Sequence, residues 1–282
     1  MQITSTSNQK VKDVVKLRQR SHRDELGALL VKGYRELRRA LDNGYRPREI
    51  YICPEFYMGE NEGALVGRAT SAGAKLFTCA KAVFEKISAR DRPDGLIAVG
   101  PQIHRTLADL RLPGNALVIV AEGIEKPGNL GTILRSADAS GCAAVIVCDK
   151  CTDIQNPNVV RASIGTLFSL PVVEATAAET VAFLRERGFL ILAASPHAER
   201  LYSDFDCTGN TAIVVGSEQY GLSSLWLDKM ENGKWKMENV RIPMLGQCDS
   251  LNVSSATTIL LYEAVRQRVA KNPALVKAPH EH

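Results

Sequence analysis

The chain has 282 residues, 45% of them hydrophobic and 23% charged, with a formal net charge of +4. That length suits two domains, each able to bury its own core, and the composition excludes a disordered or fibrous protein. The apolar runs are strand-sized, short of the roughly 20 residues that span a bilayer, which excludes a membrane-spanning helix.

Met1 opens no signal-peptide pattern, and seven cysteines, an odd number lying mostly in or beside apolar strands, fit a reducing compartment. The expected location is the cytoplasm. Charge is uneven: residues 1 to 50 hold twelve Lys/Arg against six Asp/Glu, a balance of +6 that leaves −2 for the remainder. Its densest part, "NQKVKDVVKLRQRSHR", predicts one helix with Val11, Val14, Val15 and Leu17 inward. Lys10, Lys12, Lys16, Arg18, Arg20 and Arg23 then form a face that either neutralises phosphates or is simply solvated.

Strand-like and helix-like segments alternate from there on, which predicts an α/β fold. The strands "GALLVKG", "EIYIC", "AKLFTC" and "GLIAVG" are separated by the helical "YRELRRALDNG" and "AKAVFEKIS". We expect a first domain over 1–102 and, bounded by Pro and Gly, a linker over 103–115. A second domain over 116–271 follows, then a frayed tail over 272–282. The second domain's strands are "ALVIVAE", "AAVIVCD", "LPVVEA", "FLILAAS", "TAIVVGS" and "VRIPM". They are apolar on both alternations, as parallel strands covered on two faces must be.

Three loops follow strands in this half. In "AEGIEKPGNLGTILRSADASG", Pro127, Gly128, Asn129 and Gly131 predict a tight turn, with a helix starting after it and Arg135 about one turn inside. The glycine spacing is neither a dinucleotide fingerprint nor a P-loop. In "VVGSEQYGLSS", Gly216, Glu218 and Gly221 sit where ligands bind in open parallel sheets, outside the carboxyl ends of strands. In "RIPMLGQCDSLNVSSATTILLYEAVRQR", Val253, Ala256, Leu260 and Ala264 predict the buried stripe of a helix that Ser250 or Asn252 caps. One cap suffices, so the surplus of small polar residues suggests a site lined by amides and hydroxyls.

Those three segments, "NLGTILRSADASG", "VVGSEQYGLS" and "IPMLGQCDSLNVSSA", occur in the order of the three motifs of the SpoU branch of the SPOUT RNA methyltransferases, which they resemble. "NPNVVRASIGTLFSLPV" resembles the segment between the first two motifs. The N-terminal part is similar to a small substrate-binding domain with an α/β fold like a ribosomal protein. The resemblance implies 2′-O-ribose methylation of structured RNA, most often ribosomal, from S-adenosyl-L-methionine. It also implies a C-terminal trefoil knot and a homodimer through that domain. It places Asn129, Arg135, Glu218, Ser250 and Asn252 in the active site, and Ala193, Gly216, Ile242, Met244, Leu251 and Ser254 around the cofactor. Arg135 is the expected principal catalytic group. A guanidinium is effectively never deprotonated, so its expected work is gripping phosphate and favouring alkoxide charge. Glu218 is expected to hold the loops or to pair with Arg135.

Transfer RNA as substrate, or a non-catalytic RNA-binding factor of the same fold, are the alternatives. Cys148 and Cys151 form C-x-x-C without a second pair, and the five histidines are scattered, so no metal site is expected. Arg161 and Ser163 either approach RNA or the first-motif loop, or pack in a helix. Phe56 and Tyr57 either touch RNA or cover the first domain.

Overall fold

A computed structural model describes residues 1–90, 92–149, 152–227 and 237–276. The chain divides into two compact units: Met1–His104 together with Asp153–Ser169, and Arg105–Thr152 together with the residues from Leu170 on. Residues 153–169 thus leave the sequence span of the second half and join the first unit. The stretch expected as a linker carries a short 3-10 turn, Leu107–Asp109, and buries Leu110 in the second unit's core.

The first unit holds a five-stranded sheet. Its strands are β1 (Gln2–Ile3), β2 (Ala28–Lys32), β3 (Glu49–Ile52), β4 (Lys75–Cys79) and β5 (Leu96–Pro101), in the order β1-β4-β3-β5-β2. β5 runs antiparallel to both neighbours, pairing Tyr51 with Ile97 on one side and Leu30 with Val99 on the other. Val11, Val14, Leu17, Leu30, Tyr51 and Phe84 share its core, and Phe56 packs on Phe84 with ring centres 5.9 Å apart. Phe56 therefore covers this unit.

The basic N-terminal stretch is two helices, Gln9–Lys16 and Arg20–Leu26, because extended backbone at Gln19 interrupts it and Leu17 turns into the core. Asn8 caps the first and Gly27, at φ 51°, ends the second. Arg23 does not belong to a basic face. It is 1% exposed, bonds Asp153, and donates to the Leu17 carbonyl at 2.8 Å. A buried guanidinium needs such partners to offset desolvation.

The second unit is a seven-stranded sheet, parallel throughout. Its strands are β6 (Leu117–Glu122), β7 (Ala144–Cys148), β8 (Val172–Ala175), β9 (Leu190–Ala194), β10 (Arg200–Leu201), β11 (Thr211–Val215) and β12 (Met237–Arg241). Their order is β10-β12-β9-β11-β6-β7-β8. Ile213 of β11 lies between Leu192 of β9 and Ile119 of β6, and the central strands are buried along their length, as their unbroken apolar runs require. β12 begins earlier than "VRIPM" suggests, and the two-residue β1 and β10 carry too few residues for a periodic signal.

Two helices frame the site, Pro127–Ala139 and Val253–Lys271. Pro127 occupies the first helical position, where its missing N–H costs nothing, so Gly128, Asn129 and Gly131 lie within the helix and not in a turn before it. Arg135 stands more than two turns in. Ser136 and Thr258 share a 2.8 Å hydrogen bond that joins the two helices. Near the far end of the long helix, Arg268 donates to the carbonyls of Asn115 at 2.6 Å, Cys207 at 2.9 Å and Gly209 at 2.7 Å. That anchorage gives its N-terminal end a fixed base.

Candidate functional site

β11 ends at Val215, and Gly216 then passes so close to the returning chain that a Cβ there would lie 2.3 Å from the Gly221 carbonyl oxygen. Only glycine fits. Ser217 bridges back to Gly221, whose φ of +68° is the left-handed region glycine tolerates. The outer part of this loop is held by Glu122, 6% exposed at the end of β6. Its carboxylate accepts from Ser223 N at 2.7 Å, Ser223 Oγ at 2.8 Å and Trp226 Nε1 at 2.9 Å. Three donors offset the desolvation of the buried charge. Sequence reasoning missed Glu122; an acidic residue ending an otherwise apolar strand was the available signal.

Glu218 gathers three segments. Its Oε2 accepts from Lys126 Nζ at 2.7 Å, and its Oε1 accepts from Asn129 Nδ2 at 3.0 Å and Asn252 Nδ2 at 2.5 Å. The Lys126 ammonium, against the opposing effect of burial and with help from Asn129, holds the Glu218 carboxyl below its usual range. Lys126 is raised in turn, chiefly through the same bond. Asn252 is the helix cap: its Oδ1 accepts from Ser254 N at 3.0 Å and Ser254 Oγ at 2.6 Å. Glu218 does not pair with Arg135, whose exposed guanidinium makes no hydrogen bond or ion pair among the described residues.

At the carboxyl ends of β9, β11 and β12 lies a cavity of about 550 Å³. Gly216, Glu218, Ile242, Met244, Ser250, Leu251 and Asn252 all line it. Ala194 lines it in place of Ala193, which is wholly buried one residue earlier in β9. Ser254 stands behind Asn252 and does not reach the wall, and Asn129 lines an adjoining cavity of about 230 Å³ shared with Lys126 and Glu218. Arg135 lines neither. His197, Tyr220 and Arg241 line the main cavity without having been singled out; for His197 the signal was its place just after "FLILAAS", outside a strand end. Apolar walls from Leu222, Leu227, Val240 and Ala256, with backbone at three strand ends and a few small polar groups, suit a ligand with a flat heterocycle and a polar tail.

Of the remaining candidates, Ser163 is fully buried and donates to the Val160 carbonyl at 3.0 Å, whereas Arg161 is exposed and belongs to the first unit. Cys148 is buried against Thr180 Oγ1 at 3.1 Å. Cys151, His280 and His282 lie outside the described residues.

Against known proteins, residues 116–262 match the SpoU rRNA Methylase family and residues 8–98 match the MRM3-like substrate binding domain. The chain is 30% identical to the 23S rRNA (uridine(2479)-2′-O)-methyltransferase of Streptomyces viridochromogenes, across 90% of this chain and 88% of that one. It is 28% identical to the 23S rRNA (guanosine(2553)-2′-O)-methyltransferase RlmP of Bacillus subtilis, across 93% and 98%. Among solved structures it resembles an RNA 2′-O ribose methyltransferase with a TM-score of 0.82 at 40% identity, covering 95% of this chain and all of the other. The AdoMet-bound rRNA methyltransferase from Sinorhizobium meliloti gives 0.83 at 28% identity, covering 94% and 97%.

Proposed function

We propose that this chain, which belongs to the SpoU rRNA methylase family, transfers a methyl group from S-adenosyl-L-methionine to a ribose 2′-hydroxyl of ribosomal RNA. One observation carries the reading: Glu218 binds Asn129 and Asn252 together at a cavity to which the loops of the second and third motifs both contribute. The cavity fits the methyl donor in size and in lining. Gly216, Ile242, Met244 and Leu251 would hold the donor, with Ala193 and Ser254 supporting the wall. When bound, it supplies an electrophilic methyl on a sulfonium.

This chain's residues then position the acceptor. Asn129 and Asn252, locked through Glu218, orient the ribose, and Ser250 contributes a hydroxyl at the cavity wall; orientation of this kind provides much of the acceleration in a direct displacement. Arg135 stays cationic, grips the adjacent phosphate and favours charge developing on the 2′-oxygen. The proposed homodimer has support in exposed apolar side chains on the long helix, Ile259 at 36% and Tyr262 at 48%. Arg135 adjoins Ser136, which bonds Thr258 of that helix, so dimerisation on this face would put Arg135 at the interface. The trefoil knot belongs to the same reading. No described helix is long and apolar enough to cross a membrane, and a ribosomal substrate suits the cytoplasm.

The test supplies labelled S-adenosyl-L-methionine with unmodified total RNA and maps the label. Label on a ribosomal ribose is expected. Label confined to transfer RNA would favour the alternative substrate, and none at all, a non-catalytic RNA-binding factor.

A further inference from the structure

We propose that a cavity wholly within the first unit binds one nucleotide of the RNA substrate, its phosphates against arginines and its base or sugar against a buried glutamate. The proposal rests on the reading of the chain as an RNA methyltransferase. The cavity, of about 900 Å³, is lined by Tyr34, Arg35, Glu62, Arg90, Arg92 and Arg161 among others. Arg90 is committed: it donates to the Lys32 carbonyl at 3.0 Å and lies 3.9 Å from Asp94. The guanidiniums of Arg35, Arg92 and Arg161 make no hydrogen bond or ion pair among the described residues. Burial pushes Lys32 beside the cavity down to about 8, with Arg18, Arg90 and Arg161 contributing, and four arginines outnumber the carboxylates of Glu36, Glu62 and Asp94 on the cavity wall. Three arginines without a hydrogen-bonded or ion-pair partner among the described residues, around one opening, are a phosphate-binding arrangement.

Glu62 decides between bare anion and nucleotide. It is 5% exposed, and its Oε1 accepts from Met58 N at 3.0 Å and Gly59 N at 2.9 Å. Its Oε2 is buried with no partner. An orphaned carboxylate oxygen repels a phosphate but welcomes an N–H or O–H donor, which a base or ribose brings. Tyr34 adds aromatic surface, with the Arg38 guanidinium 6.0 Å from its ring centre.

Arg161 reaches this cavity although it lies within the span that matches the methylase family. The segment carrying it is fastened to the first unit. Gly165, at φ +72°, passes so close to Glu36 that a Cβ would lie 3.1 Å from its Cα, and Phe168 packs on Tyr45 with ring centres 4.7 Å apart. The methylase portion of the sequence thus completes the substrate-binding unit's cavity.

The experiment uses the purified full chain, an unmodified ribosomal RNA transcript titrated at several salt concentrations, and S-adenosyl-L-methionine calorimetry. Arg92→Ala with Arg161→Ala is expected to lower RNA affinity at least tenfold and to flatten the plot of log affinity against log salt by roughly one to two units. Donor affinity and melting temperature are expected to hold, since both arginines are exposed. Glu62→Gln keeps the acceptor at Oε1 and is expected to lower RNA affinity severalfold without changing the slope; should it fail to fold, Tyr34→Ala takes its place. Unchanged affinity in the double variant overturns the proposal. Loss there with full affinity in Glu62→Gln, or in Tyr34→Ala where that replaces it, overturns the nucleotide and leaves only an anion site. A wild-type chain that binds neither RNA nor methyl donor would instead overturn the functional reading.

Discussion

Gly216→Ala tests the site's construction most directly. The new methyl would meet the Gly221 carbonyl oxygen at 2.3 Å, its carbon at 2.4 Å and Leu222 N at 2.7 Å. All three are backbone atoms, so no side chain can rotate aside. Moving that oxygen from 2.3 Å to ordinary contact at 3.4 Å displaces the loop by about 1.1 Å. Overpacking costs about 1–3 kcal/mol, and a clash with backbone belongs at the upper end. In a unit of this size that lowers the melting temperature by about 5–10 °C. Because the displaced loop lines the cavity, calorimetry with S-adenosyl-L-methionine should show at least a tenfold weaker Kd, about 1.4 kcal/mol. An unchanged Kd with a melting temperature within about 1 °C of the parent would refute the argument that Gly216 is there for close approach.

Arg135→Ala should reduce methyl transfer by about 100-fold or more, the loss typical of one electrostatic donor, with melting temperature and donor Kd unchanged; full activity refutes its role. Glu218→Ala removes bonds to Lys126, Asn129 and Asn252 that are partly exposed, so it should cost only about 1 kcal/mol of stability while kcat falls much further. The carboxyl's lowered value adds stability above its unfolded value that is lost as pH falls through the folded one; the variant's stability curve should therefore be flatter on the acid side. Lys32 gives a slope of the same sign in the alkaline range, because there the fold disfavours the charged form that must deprotonate. Its folded value of about 8 lies below the ordinary 10.5, so the wild type should gain stability as pH rises between these limits, and Lys32→Met should abolish that gain in denaturation curves.

Removing residues 1–100 is a poor route to testing RNA binding. It would strip the covering from Asp153–Ser169, where Val159, Val160 and Phe168 are buried. Point substitutions in the first unit's cavity leave that packing intact.

The sequence alone determined the α/β class, nearly every strand of three residues or more, and the three loops that converge. Unbroken β-branched runs and glycine punctuation are local signals, and the site lies outside strand ends where parallel topology puts it. It also marked Gly216, Glu218, Ser250 and Asn252 by loop and cap pattern, and the family resemblance added Ile242 and Leu251; all six share one cavity wall. Only the tertiary structure decided which partners those residues take. Glu218 lies 92 positions from Lys126 and 34 from Asn252, and it bonds these and Asn129 while Arg135 stands apart. Arg23 and Asp153, 130 positions apart, become a buried pair, turning an apparent surface cation into an internal tie. Periodicity reports which face of an element is apolar; charge pairing and segment exchange depend on distances that exist only once the chain has folded back on itself.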